Sequence, residues 1–404
     1  MPYFFNSNIK LIKKWIRKRV EQMNIIKENK EISLYVHVPF CKQKCFYCDF
    51  PSYAALESLM EDYVEALCTE IKEKASGYLI KSIFIGGGTP SYLETHQIKK
   101  VLNCISRLNL MENMEFSMEC NPGTLEAEKL IAMFEGGVNR ISMGLQAVQD
   151  GLLKDIGRIH TFKQFEKNFK LARKIGFKNI NIDLMFGLPH QKVSQWRETL
   201  QTIAKINPEH ISAYSLIIEE GTCFYKMWNE DKLILPSEDD EREMYEITKG
   251  VLKEYGYNQY EISNYSKEGY ECEHNKVYWR CMPYLGVGSS SSSFMDNYRF
   301  KNINNIKKYI ENISLKSSVE EERRQNSKED NIEEFMFMGL RLLEGIDKNE
   351  FKARFGINIT SIYKDIIDKN ILCCLMGEKN NKVFLTEKGI ELSNKVMSEF
   401  ILDK

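Results

Sequence analysis

Six short runs of β-branched and apolar residues recur in the first half of the chain, each trailed by a helical pattern. They read ISLYVHV (32–38), SIFIG (82–86), EFSMEC (115–120), RISMGL (140–145), NINIDLM (179–185) and HISAYSLI (210–217). Amphipathic stretches at 56–75, 94–108, 125–136, 161–176 and 194–206 fill the intervals. Strand–helix alternation of this kind predicts a parallel sheet with its helices outside. Six units are too few for an eightfold barrel, so the pattern predicts an α/β fold built on a partial one. Chemistry in such folds sits in the loops leaving the carboxyl ends of the strands.

Polar and special residues gather at those ends. The first run leads into Pro39, Phe40 and three cysteines, and the second into GGGTPS (86–91). The third closes on Glu119, Cys120, Asn121 and Pro122, the fourth is followed by Gln146, and Asp183 lies in the fifth, ahead of FGLPHQ. One polar loop or one glycine-rich turn says little. Convergence of several such ends on one rim describes a built site.

The composition narrows the class. The 404 residues are 43% apolar and 28% charged, with a net charge of -1, which is ordinary globular usage and leaves room for a large domain plus smaller ones. A nucleic-acid reader would carry a basic excess that is absent here. No apolar core region marks a signal peptide, and no apolar run approaches the ~18 residues of a membrane span. Eleven cysteines in a chain read as cytoplasmic are expected to be reduced, with any clustered subset binding metal.

The cluster is CKQKCFYCDF, residues 41–50, with Cys41, Cys45 and Cys48 and no fourth cysteine close behind. A structural zinc site usually takes four protein ligands and would need a distant one, such as His37 or Cys68. Three thiolates can instead hold three irons of a cubane, leaving the fourth iron open to a small chelating molecule.

C-x3-C-x2-C after a first strand is the signature of the radical S-adenosylmethionine (SAM) superfamily, which the chain resembles. Further matches are LYVHVPFCKQKCFYCDF, FIGGGTPS, MECNPGTL, RISMGLQA, IGRIH, NIDLMFGLPHQ, AYSLIIEEGT and GLRLLEGID. These place the resemblance in the coproporphyrinogen dehydrogenase-like branch that comprises HemN and the heme chaperone HemW, across about residues 32–400. HemN-type enzymes carry an additional cysteine two positions after the third. Phe50 stands there, and EHNKVYW (273–279) is similar to the H-N-x-x-Y-W motif of HemW-like proteins.

The resemblance implies a partial (β/α)6 TIM-like barrel of radical SAM type, with a [4Fe-4S] cluster on Cys41, Cys45 and Cys48. It implies SAM contacts from Tyr35, Tyr47, Gly87, Gly88, Thr89, Glu119, Gln146, Arg158 and Asp183. Heme would be met by His274, Tyr278 and Trp279 and passed to apo-hemoprotein acceptors. A neutral imidazole suits heme iron, although a histidine among aromatics also suits an ordinary core. Cys272, His274 and Cys281 are too scattered to argue for zinc. The alternatives are an oxygen-independent coproporphyrinogen III dehydrogenase, which decarboxylates porphyrinogen propionates, and a structural zinc protein. One departure stands out. Where the branch reads G-x-G-A-H-S, this chain reads Gly286, Val287, Gly288 and then Ser289 to Ser293. That run lacks the family histidine and is compatible with a flexible loop.

The ends differ from the middle. Residues 1–30 form a basic amphipathic extension, with Ile9, Ile12, Ile16 and Val20 at helical spacing among lysines and arginines. It is suited either to an anionic membrane surface at the inner face or to life as a solvated tail. The barrel and its heme or substrate extension span 31–313. Residues 314–330, SLKSSVEEERRQNSKED, read as a charged linker. Residues 331–404 read as a small winged-helix-like α+β domain, too acidic to be a basic nucleic-acid reader.

Overall fold

A computed structural model describes residues 30–402. The basic extension, apart from Lys30, therefore lies outside the described residues. Six parallel strands form the heart of the molecule: β1 (Glu31–Val38), β2 (Leu79–Gly87), β3 (Asn109–Cys120), β4 (Arg140–Gln146), β5 (Asn179–Phe186) and β6 (His210–Ser215), paired in chain order. Helices Met60–Glu70, Thr95–Ile105, Ala127–Glu135, Phe162–Ile175 and Val193–Ile206 occupy the crossovers. The expected partial (β/α)6 barrel is present.

Strands of a parallel sheet are usually apolar on both faces. These alternate. Ile32, Leu34, Val36 and Val38 of β1 join the helices in the hydrophobic core, as do Ile141, Met143 and Leu145 of β4 and Ile180, Ile182 and Leu184 of β5. The intervening positions face the barrel interior and are polar: Ser33, Tyr35, His37, Ser117, Glu119, Arg140, Ser142, Asn181, Asp183, His210 and Ser212. Buried polar groups must find hydrogen bonds, and here they form a mesh. Ser142 Oγ donates to Asp183 (2.8 Å), Asn181 Nδ2 to Ser142 Oγ (2.7 Å), and the His210 ring meets Asn181 Oδ1 at 2.6 Å. The barrel interior is a polar chamber rather than a packed hydrocarbon core.

The sheet continues past both edges. β9 (Tyr284–Val287) adds parallel to β1, and β10 (Ser292–Met295), β11 (Tyr298–Asn302) and β12 (Glu320–Gln325) extend it antiparallel. On the far side β8 (Asn264–Ser266) pairs with β6 and β7 (Asn258–Gln259) with β8.

Two expectations are corrected by these edges. Residues 314–330 are not a linker: Glu320–Gln325 is the edge strand, and the helix Lys328–Gly339 begins at Ser327, whose side chain accepts from Asp330 N. Charged side chains on an edge strand block sheet-to-sheet aggregation, and the all-polar EEERRQ of this strand looks like a linker in sequence. The serine run, apart from the exposed Ser292, is likewise buried and tied down. Ser289 N donates to Tyr63 Oη (3.0 Å), Ser291 Oγ to Gly288 O (2.7 Å), and Gly286 N to Ser293 Oγ (2.9 Å). Beneath it the buried Glu70 carboxylate accepts from Gly288 N, Tyr309 Oη and Asn302 Nδ2.

Beyond the barrel, helices Lys328–Gly339, Lys348–Phe355 and Thr360–Leu372 pack with the three strands β13 (Ile346–Asp347), β14 (Met376–Lys379) and β15 (Lys382–Leu385) around their own hydrophobic core. The β14–β15 hairpin turns through Asn380 and Asn381, both at positive φ, a conformation Asn tolerates better than most residues.

Candidate functional site

The carboxyl ends of β1 to β6 open into a cavity of about 440 Å³. Its wall includes Cys41, Cys45, Cys48, Tyr47, Gly87, Gly88, Thr89, Glu119, Gln146, Arg158 and Asp183. Of the sequence-derived SAM positions only Tyr35 lies off this wall; its hydroxyl is bonded to His37 Nδ1 (3.0 Å) in the barrel interior.

The cysteine loop is clamped from both sides. Cys41 N donates to Tyr53 O (2.9 Å) and Phe46 N to Ile156 O (3.1 Å), while Gln43 Nε2 donates to Gly157 O (3.1 Å). The glycine-rich turn follows the same loop, with Gly88 N on Val38 O and Thr89 N on Phe40 O, both at 2.8 Å. Close approach explains its composition. Gly87 has φ +112°, and a Cβ there would stand 2.5 Å from the His37 ring. Gly87→Ala is therefore expected to destabilise the fold by about 2–5 kcal/mol through strain and overpacking. Chemical denaturation measures this, and a change below about 0.5 kcal/mol, the usual span of a neutral surface substitution, contradicts it.

Each sulfur has a distinct setting. Cys41 Sγ lies 3.4 Å from Thr89 Oγ1, and Arg158 Nη1 donates to Cys45 Sγ at 3.5 Å. Burial pushes the Cys41 and Cys48 thiols up; a bound metal cation overrides this, because a coordinating thiol is deprotonated. Among the described residues no group of three or more His, Cys, Asp or Glu converges on a single ion. A cubane does not require that, since each thiolate meets its own iron. The candidate fourth zinc ligands are committed elsewhere. His37 uses both ring nitrogens, on Tyr35 Oη and Pro51 O, and Cys68 sits in the outer helical layer.

Opposite the loop, Glu119 accepts from Gly87 N (3.0 Å) and is pushed up to about 8, by burial first and by Asp183 second. Burial also raises Asp183, against hydrogen bonds from Ser142 and Asn181. Two buried carboxyls, both raised by burial, suit a cationic or hydroxyl-bearing ligand. Gln146 Oε1 and Arg158 Nε are buried without a hydrogen-bond partner. Gln146 adopts φ +76°, which turns the chain at the rim. Asn121, named at the end of the third run, is on the wall as well; the sequence reading missed Ser142 and Tyr214, whose signal is the alternation of polar residues along β4 and β6.

The expected heme residues lie away from this cavity, on the helix Glu273–Trp279. His274 is fully buried, with Nδ1 2.8 Å from Ser82 Oγ and Nε2 2.9 Å from Tyr278 Oη. Ser82 Oγ donates to Ser33 Oγ, so it accepts from an Nδ1–H and leaves Nε2 to accept from Tyr278. Burial, with Arg140 second, lowers the His274 pKa to about 3 and keeps the ring neutral. In this arrangement both ring nitrogens are engaged within the protein. Trp279 lies under the Arg341 guanidinium, 4.3 Å from the ring centroid.

Comparison with known proteins matches this architecture. Residues 35–203 match the radical SAM superfamily and residues 326–392 the HemN C-terminal domain. The solved coproporphyrinogen III oxidase HemN of Escherichia coli superposes with a TM-score of 0.82, covering 94% of this chain and 92% of that one at 22% identity. The fold and its cysteine rim thus define a radical SAM-type protein. The heme chaperone HemW of Bacillus subtilis (strain 168) is 38% identical over 378 residues, 91% of this chain and 99% of the relative. That of Escherichia coli (strain K12) is 34% identical over 377 residues, covering 92% and 98%. The chain belongs to the HemW family.

Proposed function

We propose that this protein is a heme chaperone, holding a [4Fe-4S] cluster and SAM at the barrel mouth and delivering heme to apo-hemoproteins in the cytoplasm. The observation that carries the reading is the likeness to HemW relatives along nearly the whole of both chains, supported by Phe50 in the place of the additional HemN cysteine.

The residues fit the cofactors. Three cysteines on one clamped loop give three thiolates, and the glycine turn leaves backbone open beside them. A cluster with one open iron supplies an attachment point for the amino and carboxylate ends of SAM. The chain does the rest. Thr89 fixes the Cys41 sulfur, and the Arg158 guanidinium balances charge at Cys45. Glu119 and Asp183 supply buried carboxyls for a cationic or hydroxylated ligand, and Gln146 Oε1 offers an unused acceptor. His274, Tyr278 and Trp279 reach heme only if the helix Glu273–Trp279 releases its bond to Ser82 or Tyr278 gives up the imidazole.

The test of the assignment is a paired assay for heme transfer and porphyrinogen decarboxylation on one anaerobic sample. The extension at residues 1–30 is proposed to bring the carrier to anionic membrane surfaces. Among the described residues no helix is long and apolar enough to cross a membrane. Removal of residues 1–30 is expected to lower binding to phosphatidylserine-containing vesicles at least fivefold, and added salt to weaken full-length binding by screening. Equal binding of the two proteins contradicts this role.

A further inference from the structure

A second cavity, about 670 Å³, lies between the helices Met60–Glu70 and Thr95–Ile105 and shares no wall residue with the cluster cavity. Two cysteines meet there. Cys104 Sγ donates to Cys68 O at 3.2 Å and Cys68 Sγ donates to Lys100 O at 3.8 Å. Each sulfur thus sits against the backbone of the opposite helix, that of Cys104 at the last turn of Met60–Glu70 and that of Cys68 at the middle of Thr95–Ile105. Both cysteines are partly exposed.

The walls are basic. Lys72, Lys99, Lys100 and Arg107 face one carboxylate, Glu65, which Lys100 already pairs. Lys72, Lys99 and Arg107 enter no salt bridge within the described residues, so their charge is directed at the opening. His96 is engaged with Glu61. A thiolate beside cations is the nucleophilic form of cysteine. The Cys104 thiol is drawn downward by the Cys68 hydrogen bond first and then by Arg107 and Lys72.

We propose that Cys68 and Cys104 form a redox-active dithiol site whose substrate class is a small anionic disulfide. The Cys104 thiolate attacks one sulfur of R–S–S–R, forming the mixed disulfide Cys104–S–S–R and releasing one RS⁻. The Cys68 thiolate, its proton passed to solvent, then attacks the Cys104 sulfur, forming the Cys68–Cys104 bond and releasing the second RS⁻. The small disulfide gains the two electrons that the two cysteines lose, and the two protons end on the released thiolates. The cationic wall supplies recognition of the acidic groups on R. The bridge would fasten together the helices that follow β1 and β2, the two strands feeding the cluster loop and the glycine turn.

Anaerobically purified holoprotein equilibrated in glutathione buffers of rising disulfide fraction tests this, with acid quenching, alkylation and non-reducing peptide mapping. The expected product is a peptide pair joined through Cys68 and Cys104 in protein that retains its iron. Cys68→Ser is expected to trap glutathione on Cys104, with an unchanged circular dichroism spectrum as the folding control. Lys72→Ala with Arg107→Ala is expected to slow reaction with glutathione disulfide at least threefold, while leaving the rate with the neutral hydroxyethyl disulfide unchanged. Full alkylation of both cysteines across the whole range overturns the proposal, as does a bridge found only in iron-depleted protein. An equal slowing for both disulfides rejects anion recognition.

Discussion

Replacing Cys41, Cys45 and Cys48 together by alanine is expected to remove the brown chromophore and essentially all bound iron and sulfide. The physical reason is the ligand set. Each thiolate would meet a separate iron, and Cys120, the remaining cysteine of the described cavity wall, is buried at the end of β3, off the cysteine loop. The fold should survive, because the loop is fixed mainly through its backbone, by Cys41 N on Tyr53 O, Phe46 N on Ile156 O and the paired Gly88 and Thr89 amides. Iron and acid-labile sulfide analysis beside circular dichroism checks both halves. Retained iron and sulfide in the triple variant would contradict the assignment of the ligands. One zinc with no sulfide in the unaltered protein would point to the structural-zinc alternative.

The second large effect is expected at His274, and it concerns folding. His274→Ala removes a buried ring and strands the hydroxyls of Ser82 and Tyr278, which lose their partner at 2.8 and 2.9 Å. A cavity of that size with two stranded polar groups costs about 3–5 kcal/mol. The helix Glu273–Trp279 should loosen from β2, because Phe84 also packs on this ring, 5.4 Å between centroids. A denaturant midpoint measured beside the heme Soret band separates the roles. Lowered stability with an unshifted Soret band fits a positioning residue, whereas unchanged stability with a shifted band restores His274 as an axial ligand.

The parallel barrel was legible because hydrophobic runs and amphipathic stretches alternate with little interruption from β1 to β6. The cysteine rim was legible because its residues sit on one short loop. What the sequence hid came from contacts remote in the chain. The edge strand Glu320–Gln325 carries so few apolar side chains that periodicity cannot reveal it, and only its pairing with Tyr298–Asn302 makes it a strand. The serine run and the Gly288 before it are held by Tyr63 and Glu70, 226 and 218 positions away in the chain. His274 likewise meets Ser82 across 192 positions. The polar barrel interior was written in the alternation of RISMGLQ and NINIDLM, yet a single-strand reading cannot tell an inward polar face from a solvated one.

The central claim is heme delivery without porphyrinogen chemistry, and one measurement tests it directly. Anaerobically reconstituted protein, with SAM and a strong reductant, is given heme and an apo-hemoprotein in one half of the sample and coproporphyrinogen III in the other. Phe50 in place of the additional cysteine predicts heme binding followed by transfer to the acceptor, with no detectable protoporphyrinogen. Robust decarboxylation of coproporphyrinogen III, with no heme bound or passed on, would contradict the account and make the protein a dehydrogenase.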